Sequence, residues 1–443
     1  MRVKRGYLIV GAGHRAETYI DALTGPHRDV GRIVAFCDTN PKRADHYRSA
    51  YGLHDVPVGP PDAFEVLLER HRPDAVVLTS PDHTHDGYIC TALGLGIDVI
   101  TEKPMTIDEN RLKRIAAAAA ASSAKLTVTF NYRYSPRNST VKKLLLDGAI
   151  GTVTSVHFEW LLDTSHGADY FRRWHRQKEH SGGLAVHKSS HHFDLVNWWL
   201  ADTPSSVYAL GGLKFYGADN ARQRGYPPRP RLGRALDHDD PFRLDLAADP
   251  RLRALYLDAE SVDGYHRDVD VFSEGISIED TLGLTVGYRR GAALTYSLNA
   301  YSPWEGYRVA LNGTAGRIEL DVVERSWVRP VAELEHGGPL IDPSARRDPG
   351  GEDNGARPIG ERILVQPHWE PAVEVPIPSA SAAHGGGDEL LLRDLFEKPA
   401  DDLLVRTADY RDGMSSTVVG IAANRSLEEE RRVLISEFGL DIP

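Results

Sequence analysis

The segment Val10-Gly11-Ala12-Gly13-His14-Arg15-Ala16 places a G-x-G-x-x-A spacing between an apolar run and a stretch of helical pattern. Glycines at such a junction permit a tight turn and close backbone approach to a pyrophosphate, which then faces the helix N-terminus. His14 and Arg15 lie in that loop. The next β-branched run, Arg32 to Asp38, ends on a carboxylate twenty-two residues after Ala16, where it can hydrogen-bond a ribose hydroxyl and repel a 2′-phosphate. NAD is therefore expected rather than NADP, with Lys42 and Arg43 as nearby charges that weigh the other way. The bland alternative is an ordinary strand-helix turn with a surface aspartate. Farther on, Glu102-Lys103-Pro104 follows the strand-like Val99 to Thr101, and ligands of open α/β sheets sit at such carboxyl ends. Pro104 stops the strand and restrains Lys103 to an extended backbone, aiming an ammonium that can stabilise a developing alkoxide. A solvated charge pair is the competing account. In His187-Lys188-Ser189-Ser190-His191-His192-Phe193-Asp194, His187 and His191 are four apart and share a face if the segment is helical. An imidazole titrates near neutrality, as a proton acceptor for a hydroxyl should. Zinc is a weaker alternative, because no H-E-x-x-H glutamate and no third ligand are visible, so no metal is expected.

These residues need a scaffold, and the first third of the chain supplies its pattern. Short β-branched runs (Gly6 to Val10, Arg32 to Asp38, Ala75 to Ser80, Val99 to Thr101, Leu126 to Phe130) alternate with amphipathic segments (Arg15 to Leu23, Pro41 to Tyr51, Ala63 to Arg70, His83 to Leu95, Ile107 to Ser122). This rhythm predicts a doubly wound parallel sheet. Beyond Asn131, Val153 to Trp160, Leu282 to Tyr288, Ala292 to Leu298 and Arg308 to Leu311 alternate as antiparallel strands do, so a second, α+β domain is expected. Phe215 to Pro241 and Gly337 to Pro358 read as long loops, and helix returns from Glu389 to Leu395 and Tyr410 to Asn424. Length agrees: 443 residues, at roughly 100 to 200 per domain, give two or three domains. Charge and cysteine content narrow the partners. The 52 basic against 63 acidic residues leave a net charge of -11, which disfavours nucleic acid and anionic membrane. Cys37 and Cys90, the only cysteines, sit in apolar runs and point to core packing in a reducing compartment. Tyr7 to Val10 is too short for a signal core, and no run approaches the ~20 apolar residues of a membrane span. A cytoplasmic protein acting on small molecules is expected.

The glycine loop, Pro81-Asp82-x-x-His85, Glu102-Lys103-Pro104, Asn131-Tyr132-Arg133, and Gly182-Gly183 leading to His191 and Asp194 together resemble the Gfo/Idh/MocA oxidoreductase family. The resemblance continues more loosely through Glu279-Asp280, Gly313-Thr314-Ala315-Gly316 and the C-terminal helices, and the two long loops have no counterpart in the family's minimal pattern. It implies an N-terminal Rossmann domain over 1–133. A C-terminal domain over 134–443, carrying a large, mostly antiparallel sheet, would bind substrate and form dimers or tetramers through its open face. It further implies that Ser80, Pro81, His85 and Glu102 lie beside the cofactor with Gly11, Gly13, His14, Arg15, Asp38 and Lys103. In that family the segment after the glycine pair runs Asp-x-x-x-His-x-x-Asp, with the lysine, first aspartate and histidine near the reacting carbon. His191 and Asp194 match here, while His187 replaces the first aspartate, which suggests a relay of two imidazoles.

Tyr132 and Arg133 are expected at the domain crevice, as substrate contacts or, for Arg133, as an inter-domain salt bridge. Trp174 and Arg176 form a candidate sugar-facing wall, with Lys188 and His192 flanking the catalytic histidines; His192 is also a candidate for the core. Trp304 and Tyr307 would make a carbohydrate platform or a hydrophobic loop anchor. His384, before Gly385-Gly386-Gly387-Asp388, would bind oxygen-rich ligand or mark a hinge. The resulting expectation is an NAD-dependent oxidoreductase drawing a hydride from a secondary hydroxyl of a sugar, cyclitol or glycoside, with Lys103, His191 and His187 catalytic. The alternative is an NAD-dependent glycoside hydrolase working by transient oxidation, elimination and re-reduction. A non-catalytic NAD-linked sensor is the third possibility, disfavoured because Lys103 and His191 are retained.

Overall fold

The computed structural model describes residues 4–328, 356–378, 387–397 and 402–442. The five β-branched runs of the first third form β1 (Arg5–Val10), β2 (Gly31–Cys37), β4 (Ala75–Leu78), β5 (Asp98–Thr101) and β6 (Leu126–Val128), and an unexpected two-residue strand, β3 (Val58–Gly59), adds to the edge beside β2. Between them run α1 (Ala16–Thr24), α2 (Pro41–Ala50), α3 (Phe64–His71), α4 (His85–Gly94) and α5 (Glu109–Ala121). Helices cover both faces, so the strands are apolar throughout, and Tyr7, Leu8 and Ile9 are fully buried. The order β6-β5-β4-β1-β2-β3 is parallel and reverses direction between β1 and β4, where the carboxyl ends open a crevice.

The rest of the chain folds around a nine-stranded sheet. Helices α6 (Pro136–Leu146), α7 (Thr164–Arg172), α8 (Lys178–Ser181), α9 (Gly183–His187) and α10 (Ser190–Leu200) accompany β7 (Val153–Asp163) and β8 (Pro204–Gly212). After α11 (Ala218–Gln223), α12 (Pro250–Leu252) and α13 (Glu260–Asp263) come β9 (Thr281–Tyr288), β10 (Ala293–Ser302), β11 (Glu305–Gly313), β12 (Gly316–Arg325), β13 (Gly360–Pro367) and β14 (Val373–Val375). The chain closes with α14 (Gly387–Phe396), β15 (Ala408–Asp409), α15 (Tyr410–Glu429) and β16 (Val433–Leu434). The order is β14-β13-β12-β11-β7-β10-β9-β8-β16, whereas β15 returns to the first sheet and pairs antiparallel with β6. One pair departs from the expected antiparallel pattern: β7 and β10 are parallel. β10 and β11 are tightly joined and run oppositely with β7 between them, so β7 must be parallel to one of the two. α9 and α15 cross closely at Gly420, where a Cβ would stand 2.4 Å from the Ala185 carbonyl.

The Phe215 to Pro241 stretch, expected as loop, is built structure. It contains α11, Phe215 stacks on Tyr301 at 4.7 Å, and Arg229 pairs with Asp240 and Asp270 at 2.7 and 2.9 Å. Beyond it, Leu246, Leu252 and Leu255 are fully buried in the same apolar cluster as Ala12, Ala16 and Ile20 of the first domain. Of the second expected loop, all but Ala356 to Pro358 lies outside the described residues.

Candidate active site

A cavity of about 410 Å³ lies over the carboxyl ends of β1, β2, β4 and β5. Its floor is the glycine loop. Gly11 has φ +86°, and a Cβ there would stand 2.5 Å from the Ser80 nitrogen, so only glycine lets β1 and β4 close at this point. The Asp38 carboxylate accepts from the Ala12 and Asn40 backbone N–H groups at 2.5 and 2.6 Å, fixing it at the end of β2. Arg15 and Tyr19 each donate to Glu102 at 2.6 Å, which ties the glycine loop to the β5 end. An open loop backed by a helix start, with an acid at the neighbouring strand end, fits the pyrophosphate and ribose of a dinucleotide.

Part of this half comes from the far side of the chain. Tyr256 accepts from the His14 N–H at 3.1 Å, Asn40 donates to the Ala259 carbonyl at 3.0 Å, and Lys42 donates to the Asp258 carbonyl at 2.7 Å. Arg43 donates to the Leu255 carbonyl at 3.1 Å and pairs with Asp263 at 2.7 Å. Residues 244–265 thus form a strap across the nucleotide half, and the two basic residues that weighed against NAD are engaged by it.

The other half holds the reactive groups. Lys103, joined to Pro104 by a cis peptide, donates to the His187 carbonyl at 3.1 Å. Burial lowers Lys103 to about 8, against the pull of Asp82. His187 Nδ1 lies 2.5 Å from Asp82 Oδ2, a contact across the two domains. Burial pushes the Asp82 carboxyl up, opposed by Lys103, and pushes the His187 imidazole well down, assisted by Lys103. The helix expected through His187 and His191 is broken between α9 and α10. The Ser189 N–H and hydroxyl both turn back to the Leu184 carbonyl, at 2.9 and 3.0 Å, in competition with the helical ladder. His187, Lys188 and His191 line the cavity around this break. His191 stacks on Tyr132 with ring centres 4.3 Å apart. The far wall carries Asp169, Tyr170, Arg173, Trp174 and His175, with Trp174 stacked on His175 at 3.6 Å.

Residues 5–130 match the model of the oxidoreductase family's NAD-binding Rossmann fold, and residues 142–435 match that of its C-terminal alpha/beta domain. The chain belongs to the Gfo/Idh/MocA oxidoreductase family. It is 37% identical over 430 residues to a protein of Bacillus subtilis (strain 168) that carries the name oxidoreductase YteT, with 92% of each chain covered. It is 32% identical over 213 residues to an inositol 2-dehydrogenase of Rhizobium meliloti (strain 1021), covering 48% of this chain and 59% of that one. Its fold is similar to the aldose-aldose oxidoreductase of Caulobacter crescentus, with a TM-score of 0.61, 17% identity, and 98% and 100% of the two chains covered.

Against the Gfo/Idh/MocA pattern, the cavity gathers Gly11, Gly13, His14, Arg15, Asp38, Ser80, Pro81, Glu102, Lys103, Tyr132, Trp174, His187, Lys188 and His191. Other candidates are placed elsewhere. Arg133 is buried in a two-pronged pair with Asp194 at 2.6 and 2.7 Å and reaches Asp412 at 3.1 Å, which makes it the inter-domain salt bridge. Arg176 turns away to Ser273 at 2.9 Å. His192 is in the core, stacked on Trp160 and 2.7 Å from the Tyr296 hydroxyl. Trp304 is the buried anchor of the β10-β11 connection, and Tyr307 stacks on Trp160 at 4.6 Å inside the sheet's packed face. His85 stands behind the site, its ring nitrogens 2.9 and 3.0 Å from the Ser80 and Pro104 carbonyls, so it shapes the wall without lining it. His384 lies outside the described residues. Sequence reasoning gave Asp82 no role and missed Asp169, Tyr170, Arg173, Tyr256, Asp263 and Tyr265. Asp82 stood inside a quoted motif; the others carry no spacing signal.

Proposed function

We propose that this protein oxidises a secondary hydroxyl of a sugar, cyclitol or glycoside with NAD. The observation that carries the reading is the Asp82–His187 contact beside Lys103, at the mouth of the glycine-loop cavity. In the ionised form of Asp82, which the Lys103 ammonium favours against burial, His187 donates through Nδ1 and keeps Nε2 as acceptor. Nε2 makes no hydrogen bond to a described residue. His187 then takes the hydroxyl proton while Asp82 fixes its tautomer and balances the imidazolium. Lys103 donates to the same oxygen and stabilises the negative charge that grows on it. NAD, when bound, supplies the acceptor for the hydride that leaves the carbinol carbon. His191, held flat on Tyr132, is oriented to hydrogen-bond a neighbouring hydroxyl. His187 with Asp82 thereby takes the place of the aspartate of the family pattern.

The Asp38 carboxylate at the end of β2, where a ribose hydroxyl would lie, and the capture of Arg43 by Asp263 both favour NAD over its 2′-phosphorylated form. The inositol 2-dehydrogenase relative supports a polyhydroxylated ring as substrate. Residues 1–133 would hold the nucleotide and 134–443 the sugar, with the strap as the exception. The open sheet face, with His157, Thr295, Ser297, Arg308 and Asp321 toward solvent, would join copies of the chain.

The test is incubation with NAD and a panel of sugars, cyclitols and chromogenic glycosides, following NADH and aglycone together. NADH accumulation without aglycone is the expected result. Aglycone release with NAD required but not consumed would instead mean hydrolysis by transient oxidation, and no turnover with any member would remove the enzymatic reading. Asp82→Asn should lower turnover on the order of a hundredfold, with NAD affinity little changed.

A further inference from the structure

We infer that the substrate half of the cavity contains a carboxylate subsite centred on Lys188, so that the preferred substrate is an acidic sugar. This deepens the reading above and rests on it only for the word substrate. Lys188 lines the cavity yet is only 4% exposed. Its ammonium has three N–H donors. One goes to the Tyr132 hydroxyl at 3.1 Å, and the charge lies over the faces of Trp160 and Tyr132, 4.9 and 5.5 Å from their centres. Among the described residues it has no other hydrogen-bond acceptor and no carboxylate within 4.0 Å. A buried ammonium in that condition is costly unless an anion joins it.

The cavity has acids, but every one is committed. Asp82 is held by His187, Glu102 by Arg15, Asp263 by Arg43, and Asp169 by Arg173 and Arg267 at 3.2 and 2.8 Å. Asp38 is occupied by backbone N–H groups. Glu305, whose ionisation Lys188 favours, is already paired with His166 and Arg325. With Lys103 assigned to the reacting oxygen and Arg15, Arg43 and Arg173 paired with carboxylates, Lys188 is, among the described residues, the cavity-lining cation left without a carboxylate, in a protein whose net charge is -11. A single ammonium against flat aromatic walls suits a planar, singly charged carboxylate better than a phosphate dianion, which calls for more donors than Lys188 can offer.

Binding can be read without turnover, by quenching of tryptophan fluorescence on the NAD-saturated protein. The probes are matched pairs: glucose with glucuronate, galactose with galacturonate, each uronate with its methyl ester, and glucose 6-phosphate. Uronates are expected to bind at least ~10-fold more tightly than both the neutral sugars and the methyl esters, a ratio equivalent to about 1.4 kcal/mol. Lys188→Met should collapse that ratio and Lys188→Arg should keep most of it, with thermal unfolding confirming that both variants fold. If Lys188→Met does not fold, the ester comparison on the unaltered protein decides alone. Equal binding within the pairs, no uronate binding, a preference that survives Lys188→Met, or tighter binding of the phosphate would each overturn the carboxylate subsite. NADH formation is recorded in parallel. Lys188-dependent uronate binding without NADH would leave the subsite standing and the dehydrogenase reading fallen; NADH from neutral polyols with no uronate preference would mean the reverse.

Discussion

Lys103 and His187 are 84 positions apart and meet through a backbone carbonyl, so the titration of one is felt by the other. Burial holds Lys103 near 8, which means that its ammonium is present below that pH and lost above it. If the ammonium is the donor to the reacting oxygen, as proposed, kcat for oxidation should fall as pH rises through about 8. Lys103→Arg keeps its charge through pH 10, so its slower turnover should show no such alkaline limb. An unchanged limb in the arginine variant would take Lys103 out of the titration. On the acid side, burial keeps His187 neutral well below the usual imidazole range, and no loss of activity is expected between pH 7 and 6. A limb near 6.5 would mean that the imidazole is solvated, with burial and the Lys103 charge no longer holding it neutral.

At the scale of elements, the strap is the device that distinguishes this chain from a bare two-domain arrangement. Its hold is apolar first, through Leu252 and Leu255, and polar second, through carbonyls that receive Asn40, Lys42 and Arg43. Burying a leucine at such a contact stabilises it by roughly 2 to 5 kcal/mol relative to alanine, part of which the strap would lose in Leu255→Ala. That variant should bind NAD about tenfold more weakly and become open to proteolysis within residues 244–265, with NAD titration and limited digestion as the readouts. Unchanged NAD affinity, despite cleavage there, would show the strap to be packing alone. The break between α9 and α10 works on the same scale, because Ser189 turns the chain so that neighbours in sequence and residues one turn apart all reach the cavity.

For the whole molecule, the relation of the two sheets depends on Arg133. It leaves the end of the first domain, grips Asp194 on α10 and Asp412 on α15, and is almost wholly buried. Burial drives Asp194 up to about 7 even with Arg133 beside it, so the pair is held by its geometry and its partners together. Arg133→Met would strand a buried carboxylate, at a cost of roughly 3 to 5 kcal/mol. A clear drop in unfolding temperature is expected, with KM for the sugar little changed in the protein that remains folded; a raised KM with an unaltered melting curve would return Arg133 to the substrate. Association through the open sheet face predicts a solution mass of two or four chains of 49.0 kDa, measurable by light scattering, and a monomer at micromolar concentration would exclude it. No described helix is long and apolar enough to cross a membrane.

The sequence by itself determined five strands of the first sheet, though not the two-residue β3 and β15, because a parallel sheet buried on both faces needs unbroken apolar runs and helices between them, and both are local signals. It also determined the glycine loop, Asp38 and Lys103, whose positions follow from lying at strand ends. Tertiary structure alone decided which of the remaining polar residues face the cavity. Arg133, Arg176, His192, Trp304 and Tyr307 have the side chains of a sugar site and are buried elsewhere, since a chemical type does not state its direction. Asp82 and His187 are separated by 105 residues, and Tyr256 reaches the glycine loop, and Asp263 reaches Arg43, from more than 200 positions away. Such meetings depend on how two domains and an insertion pack, and no periodicity within a segment records that.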